Sequence, residues 1–216
     1  MTIKSEQEKM LLDASPAPND PIVTKILRAI AGIPREIYSP SHDSFLMLDV
    51  LSKTPVKGKE VLDVGTGSGI LALYCAMRGA HVTATDIDEK ALHHTAQAAK
   101  DLQVSLHVAL SDIFSNVTGH FDLIIFNPPY LPSATTKDRT VDGGKWGEMV
   151  AGKFLDGLAD HLRKDGSALL LLGTSSDLES LAKLQSMFEF STVASRRLFF
   201  EELRVLQLRF RGDAAR

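Results

Sequence analysis

The chain has 216 residues, 44% of them apolar, which suits one domain with a large single core, with or without a short extension. Its formal net charge of -3 and isoelectric point near 6.2 argue against an extended phosphate-tracking surface, since such proteins carry a strong basic excess. One cysteine, Cys75, excludes an internal disulfide and a cysteine-only zinc site, and no apolar run reaches membrane-spanning length, so a soluble cytoplasmic protein is expected. In chain order, residues 1–20 read as a flexible arm ending in "SPAPND". Asp20 is placed to cap a helix with Pro21 at its first position, and Ile22, Ile26, Ala29 and Ile30 supply an apolar stripe. "GIPREIYSPSHDS" interrupts it, and a second amphipathic helix follows over 43–52, with Phe45, Leu46, Leu48 and Leu51 apolar.

From Glu60 onward strands and helices alternate: "VLDV", helix 69–78, "HVTATD", helix 88–100, "VSLHVAL", "FDLIIF", helix 147–164, "SALLLLG", helix 176–187. That order predicts an α/β domain over 59–212, a mostly parallel sheet with helices on both faces, against which the helices of 21–58 pack. The end differs. "STVASRRL" and "LRVLQLRF" are separated only by "FFEE", too short for a right-handed crossover, so these last two of seven strands should form an antiparallel hairpin. Cys75, in the apolar helix "ILALYCAMRG", reads as a buried structural thiol.

The first loop carries chemistry. "VLDVGTGSGIL" places Gly65, Thr66, Gly67, Ser68 and Gly69 between a strand and a helix, where missing side chains let a ligand approach backbone N–H groups. A dinucleotide fingerprint wants a glycine at position 70, which here is Ile70. Asp63 beside the loop would repel a pyrophosphate, by roughly 4 kcal/mol for unit charges 4 Å apart at an effective dielectric of 20, and would favour a cationic ligand. Both observations disfavour a nicotinamide oxidoreductase. Asp86 ends the next strand and can accept from ribose hydroxyls. Asp112 follows the third strand and can accept from an adenine amino group, while Ile87 and Ile113 can sandwich the ring. Together these describe an adenosine with a cationic tail, S-adenosyl-L-methionine.

"FNPPY" ends the fourth strand, which in such a sheet lies beside the first and opens into the ligand crevice. The Asn127 side-chain carbonyl and the Pro128 backbone carbonyl remain free as acceptors, because Pro128 and Pro129 have no N–H with which to continue a ladder. Two acceptors suit a planar NH2 group aimed at a methyl sulfonium, and Tyr130 offers a flat ring for stacking. Asn127, Pro128 and Tyr130 are therefore the candidate catalytic residues, with Pro129 completing the substrate-binding turn. An intact N-P-P-Y also disfavours a cofactor-binding scaffold without catalysis.

With these motifs, the chain resembles the class I methyltransferases that carry N-P-P-Y, and most closely the short HemK-like branch that methylates the glutamine of the Gly-Gly-Gln motif in peptide-chain release factors. The likeness spans about residues 35–210 and adds two elements, "YSPSHDSF" from Tyr38 and "GGKWGEMV" from Gly143. It implies that Ser44 touches the cofactor, Asp63 and the glycine loop hold its methionine part, Asp86 its ribose, and Asp112 with Ile113 its adenine. Asn127 to Tyr130 would bind the target glutamine. His42 stands where the branch usually has Glu, a departure from the pattern. The resemblance further implies a release-factor partner and a small zinc-binding activator subunit. The alternative substrate is an exocyclic amine of adenine or guanine in RNA or DNA, since a flipped base presents the same planar NH2. Arg196, Arg197, Arg204, Arg209 and Arg211 make the terminal hairpin locally basic, whereas no histidine pair has metal-ligand spacing, so no metal site is expected; His93 and His94 read as surface residues.

Overall fold

A computed structural model describes residues 20–128, 145–173, 186–198 and 202–211. Its elements are α1 (Pro21–Ala29), α2 (His42–Lys53), β1 (Glu60–Val64), α3 (Ile70–Met77), β2 (His81–Asp86), α4 (Glu89–Asp101), β3 (His107–Leu110), β4 (Phe121–Phe126), α5 (Lys145–His161), β5 (Leu162–Leu172), β6 (Phe188–Arg197) and β7 (Glu202–Phe210). The arm 1–19, Pro129, Tyr130, the loop after them to residue 144 and nearly all of the expected helix 176–187 lie outside the described residues.

The strands form one seven-stranded sheet in the order β3-β2-β1-β4-β5-β7-β6. β1 to β5 pair in parallel, and β7 runs antiparallel between β5 and β6. The mostly parallel sheet and the antiparallel pairing of the last two strands are as expected. β7 rather than β6 neighbours β5, which leaves β6 on the outer edge.

Period-two alternation divides the sheet residues between two cores. Val61, Val82, Leu123, Ile125, Leu169 and Leu171 face α1 to α4, whereas Leu62, Val64, Ile124, Phe126 and Leu170 face Phe154, Leu155 and Leu158 of α5. At roughly 1.5–3 kcal/mol per fully buried large apolar side chain, these two layers dominate stability.

Local signals start the helices where the sequence places them. Asp20 caps α1, its Oδ1 accepting from the Ile22 N–H at 2.8 Å, with Pro21 in the first turn. Asp88 caps α4 by accepting from the Lys90 N–H at 2.9 Å. Three expectations are corrected. The inner face of α1 is Val23, Ile26, Leu27 and Ile30, with Ile22 and Ala29 only partly buried. The helix expected over 147–164 stops at His161, and β5 begins at Leu162, which pairs with Phe121. α2 is not amphipathic: every residue from Asp43 to Leu48 is buried, because α3 on one side and β6 and β7 on another enclose it.

Candidate functional site

Parallel register lines up the carboxyl ends of the first four strands. Val64 pairs with Thr85 and Phe126, and Asp86 with Leu110. The segments that follow, 65–69, 87–88, 111–113 and 127–128, therefore emerge on one edge of the sheet, where ligands of open parallel sheets bind.

The glycine loop turns on positive φ at Gly65 (62°), Gly67 (52°) and Gly69 (80°), conformations that L side chains adopt at a cost. The Thr66 N–H donates to the Thr85 carbonyl at 2.8 Å, and the Gly67 N–H to Asp86 Oδ2 at 2.8 Å. The loop is thus bound to β2 before any ligand arrives. Gly69 also has no room for a side chain: a Cβ there would lie 2.5 Å from Thr95 Oγ1 and 3.0 Å from Thr95 Cβ, and Thr95 is wholly buried on α4. Gly69→Ala should destabilise the protein by about 2–4 kcal/mol, combining left-handed strain with overpacking. Gly58→Ala, at φ +72° with nothing within 4 Å, should cost only the strain. Equal urea midpoints for the two variants would refute the packing half of that account.

Asp63 is 1% exposed and accepts from Thr66 Oγ1 at 2.7 Å. Burial pushes its carboxyl up to about 7, with the Thr66 bond and the Ala72 backbone N–H opposing. Among the described residues no basic side chain pairs with it. Asp86 is also raised by burial, although the Asp88 and Gly67 backbone N–H groups donate to it. Next to it Ile87 is 66% exposed, an apolar surface beside a polar strand end.

The loop after β3 is tightly tied. Ser111 Oγ donates to the Ile113 carbonyl at 2.9 Å and accepts from the Asn116 N–H at 3.0 Å, holding Ile113 at φ 56°. A β-branched residue there is a genuine backbone outlier, of the kind found where a site sets a side-chain direction. Asp112 is half exposed and pairs with Lys153 Nζ of α5 at 2.8 Å, a partner the sequence reading did not include.

At the end of β4, Pro128 is buried and Asn127 half-buried. Asn127 Nδ2 donates to Asp43 Oδ2 at 2.8 Å. Its Oδ1 is buried and has no hydrogen-bond partner among the described residues, an orphaned acceptor that a native structure rarely leaves without a use. Within "YSPSHDSF" the sequence marks Asp43 as fitting the family element beside Ser44 but gives it no role in the site. Asp43 and Ser44 are both buried at the start of α2, while His42 is exposed. His94, expected at the surface, is instead half-buried, with a buried Nε2 that has no partner among the described residues. No cluster of three metal-ligating side chains occurs among the described residues, and no helix of them is long and apolar enough to cross a membrane.

The profile of the methyltransferase small domain matches residues 41–202. A provisionally named protein N5-glutamine methyltransferase of Methanocaldococcus jannaschii is 36% identical over 182 residues, covering 79% of this chain and 90% of its own length. The methyltransferase HEMK2 of Homo sapiens is 29% identical over 190 residues, covering 80% of this chain and 89% of its own. Among solved structures, the Mtq2–Trm112 complex of E. cuniculi, described as responsible for methylating the translation termination factor eRF1, superposes with a TM-score of 0.67 at 22% identity. That match covers 82% of this chain and 99% of the other, and it shows the shared fold.

Proposed function

This chain belongs to the methyltransferase small domain family, and we propose that it transfers a methyl group from S-adenosyl-L-methionine to a protein glutamine side-chain nitrogen. The target is the glutamine of the Gly-Gly-Gln motif of a peptide-chain release factor. The observation that carries this reading is the buried, unpartnered Asn127 Oδ1 at the end of β4. The relative that is 36% identical over 79% of this chain bears the provisional name of a protein N5-glutamine methyltransferase, which supports the same substrate.

The residues present fit the cofactor. Asp63 is a buried carboxylate with no cation beside it among the described residues, the 65–69 loop offers backbone at close range, and Asp86 stands beside the exposed Ile87. S-adenosyl-L-methionine, when bound, supplies a methyl group on a cationic sulfur. Asp63 and the loop would hold its methionine part, with Thr66 and Ser68 lining the turn and Ser44 alongside. Asp86 would accept from the ribose hydroxyls, and Ile87, Asp112 and Ile113 would take the adenine, Asp112 sharing its carboxylate with Lys153.

The target amide nitrogen is a weak nucleophile because its lone pair is delocalised. Asn127 Oδ1 and the Pro128 carbonyl would each accept one N–H, holding the nitrogen in line and favouring the tetrahedral geometry that frees the lone pair. Pro129 and Tyr130, outside the described residues, would complete that grip. Positioning of this kind supplies roughly 7–11 kcal/mol, against about 1–3 for each hydrogen bond, so no strong general base is needed. The excess proton leaves the methylated nitrogen to solvent.

An exocyclic base amine would fit the same two acceptors, but the hairpin arginines are partly committed: Arg196 pairs with Asp49, Arg204 with Glu202, and Arg211 donates to the Phe188 carbonyl. A small activator subunit belongs to the same proposal, supported by the Mtq2–Trm112 complex, and its zinc site is part of that expectation. Mixing enzyme, cofactor and release factor, with and without an activator subunit, should add the mass of one CH2 to the Gly-Gly-Gln peptide. Label appearing only in RNA or DNA would overturn the glutamine assignment.

A further inference from the structure

Asp43 sits in the first turn of α2, where carboxylates normally face water, yet it is 1% exposed. A buried carboxylate is costly unless its oxygens are hydrogen-bonded, and both are. Oδ1 accepts from the Ser44 N–H at 2.7 Å and from Ser44 Oγ at 3.2 Å. Oδ2 accepts from Tyr38 Oη at 2.9 Å and from Asn127 Nδ2 at 2.8 Å. Helix α2 therefore reaches across 84 positions of sequence to a single side chain at the end of β4.

The two ends of an asparagine amide are nearly the same size, so packing alone does not choose which one faces a ligand. An ionised carboxylate chooses, because it can only accept. With Nδ2 held against Asp43, Oδ1 points away from it, buried and without a partner among the described residues. We infer that Asp43 is the positioning residue that presents Asn127 Oδ1 as an acceptor to the target amine. The charge-assisted bond also polarises the Asn127 amide and raises electron density on Oδ1, the atom that meets the hydrogens of the nitrogen gaining positive charge. Replacement by Asn removes the constraint: Asn127 can then turn over and present a donor to a donor. The inference rests on the reading of Asn127 as the grip on the target.

The test combines a kinetic cycle with a spectroscopic signature. Asp43→Asn should lower the single-turnover rate by about 10- to 100-fold through misorientation while leaving cofactor affinity within about threefold. In the Asn127→Ala background the same change should cost less than about threefold, because Asp43 then has no amide to orient. Independent, multiplying losses, or a wild-type rate in Asp43→Asn, would overturn the assignment. In 1H–15N spectra, with the Asn127 side-chain signals identified by their loss in Asn127→Ala, wild type should show one amide proton displaced downfield. Asp43→Asn should return it to the ordinary position. Absence of the displaced proton from wild type overturns the inference even if Asp43→Asn fails to fold or the enzyme methylates no glutamine, whereas the latter result with the signal present refutes only the proposed function.

Discussion

Asn127→Ala should reduce methyl transfer by about 10²- to 10³-fold while leaving S-adenosyl-L-methionine affinity within about threefold. Two losses combine. One acceptor disappears from a nitrogen that becomes positive as the methyl arrives, a charge-assisted bond of about 1.5–3 kcal/mol, or roughly one to two decades in rate. The target then hangs from the Pro128 carbonyl alone, and a misplacement of about 1 Å costs about a further 100-fold, the two effects overlapping rather than multiplying in full. Of the residues proposed for the cofactor, Asp63 to Gly69 and Asp86 lie on other loops and are bonded to one another rather than to Asn127, and Ser44 connects to Asn127 only through Asp43. Isothermal titration with cofactor and a rate assay with release factor separate the two quantities. Unchanged turnover would show that the buried Oδ1 has no part in the reaction. Loss of cofactor binding in step with turnover would mean that Asn127 serves the cofactor instead of the target.

The parts of this site that were legible in the sequence share one property: they are local to a strand end. Gly65 to Gly69, Asp86, Ile87, Asp112, Ile113 and Asn127 each follow an apolar run, and parallel alternation brings those ends to one edge. Local chemistry likewise announced the Asp20 and Asp88 caps. What the sequence concealed is non-local. Asp43 and Asn127 meet only because α2 folds over the β4 end, and no periodicity marks a pair so far apart. The apolar residues of 43–52 suggested one buried stripe, since nothing near them indicates that β6 and β7 close over the helix. The early end of α5 has the same origin. Arg163 and Lys164 are good helix formers, but Leu162 is drawn into pairing with Phe121, and Arg163 reaches Asp122 at 2.7 Å. His94 departs from the surface because it lies, at about 100° per residue, between the exposed His93 and Thr95, which is packed against the glycine loop.

Asp63 predicts an opposition between stability and ligand affinity. Its carboxyl is raised from 3.8 to about 7 in the folded protein, so between those values the native state holds a proton that the unfolded chain has lost. Stability must therefore fall as pH rises through that window, by roughly 4 kcal/mol at about 1.4 kcal/mol for each pH unit crossed, and it stays low above pH 7. Thermal midpoints of the ligand-free wild type should decline between pH 5 and 8, and those of Asp63→Asn should decline much less. For the cofactor the sign reverses. Only ionised Asp63 complements a cation, so below pH 7 binding must expel the proton, and affinity should rise about tenfold between pH 5.5 and 7. Asp63→Asn keeps an acceptor for Thr66 Oγ1 but has no charge to offer, and should bind more weakly with a nearly flat profile over the same range. Titrations in buffers of different ionisation enthalpy should detect the released proton in wild type alone. A wild-type affinity that is flat or falls over this range would remove Asp63 from the cofactor site. The burial that makes this carboxylate expensive in the empty protein is what makes its charge strongly felt once a cation lies beside it, because no water is left there to screen either one.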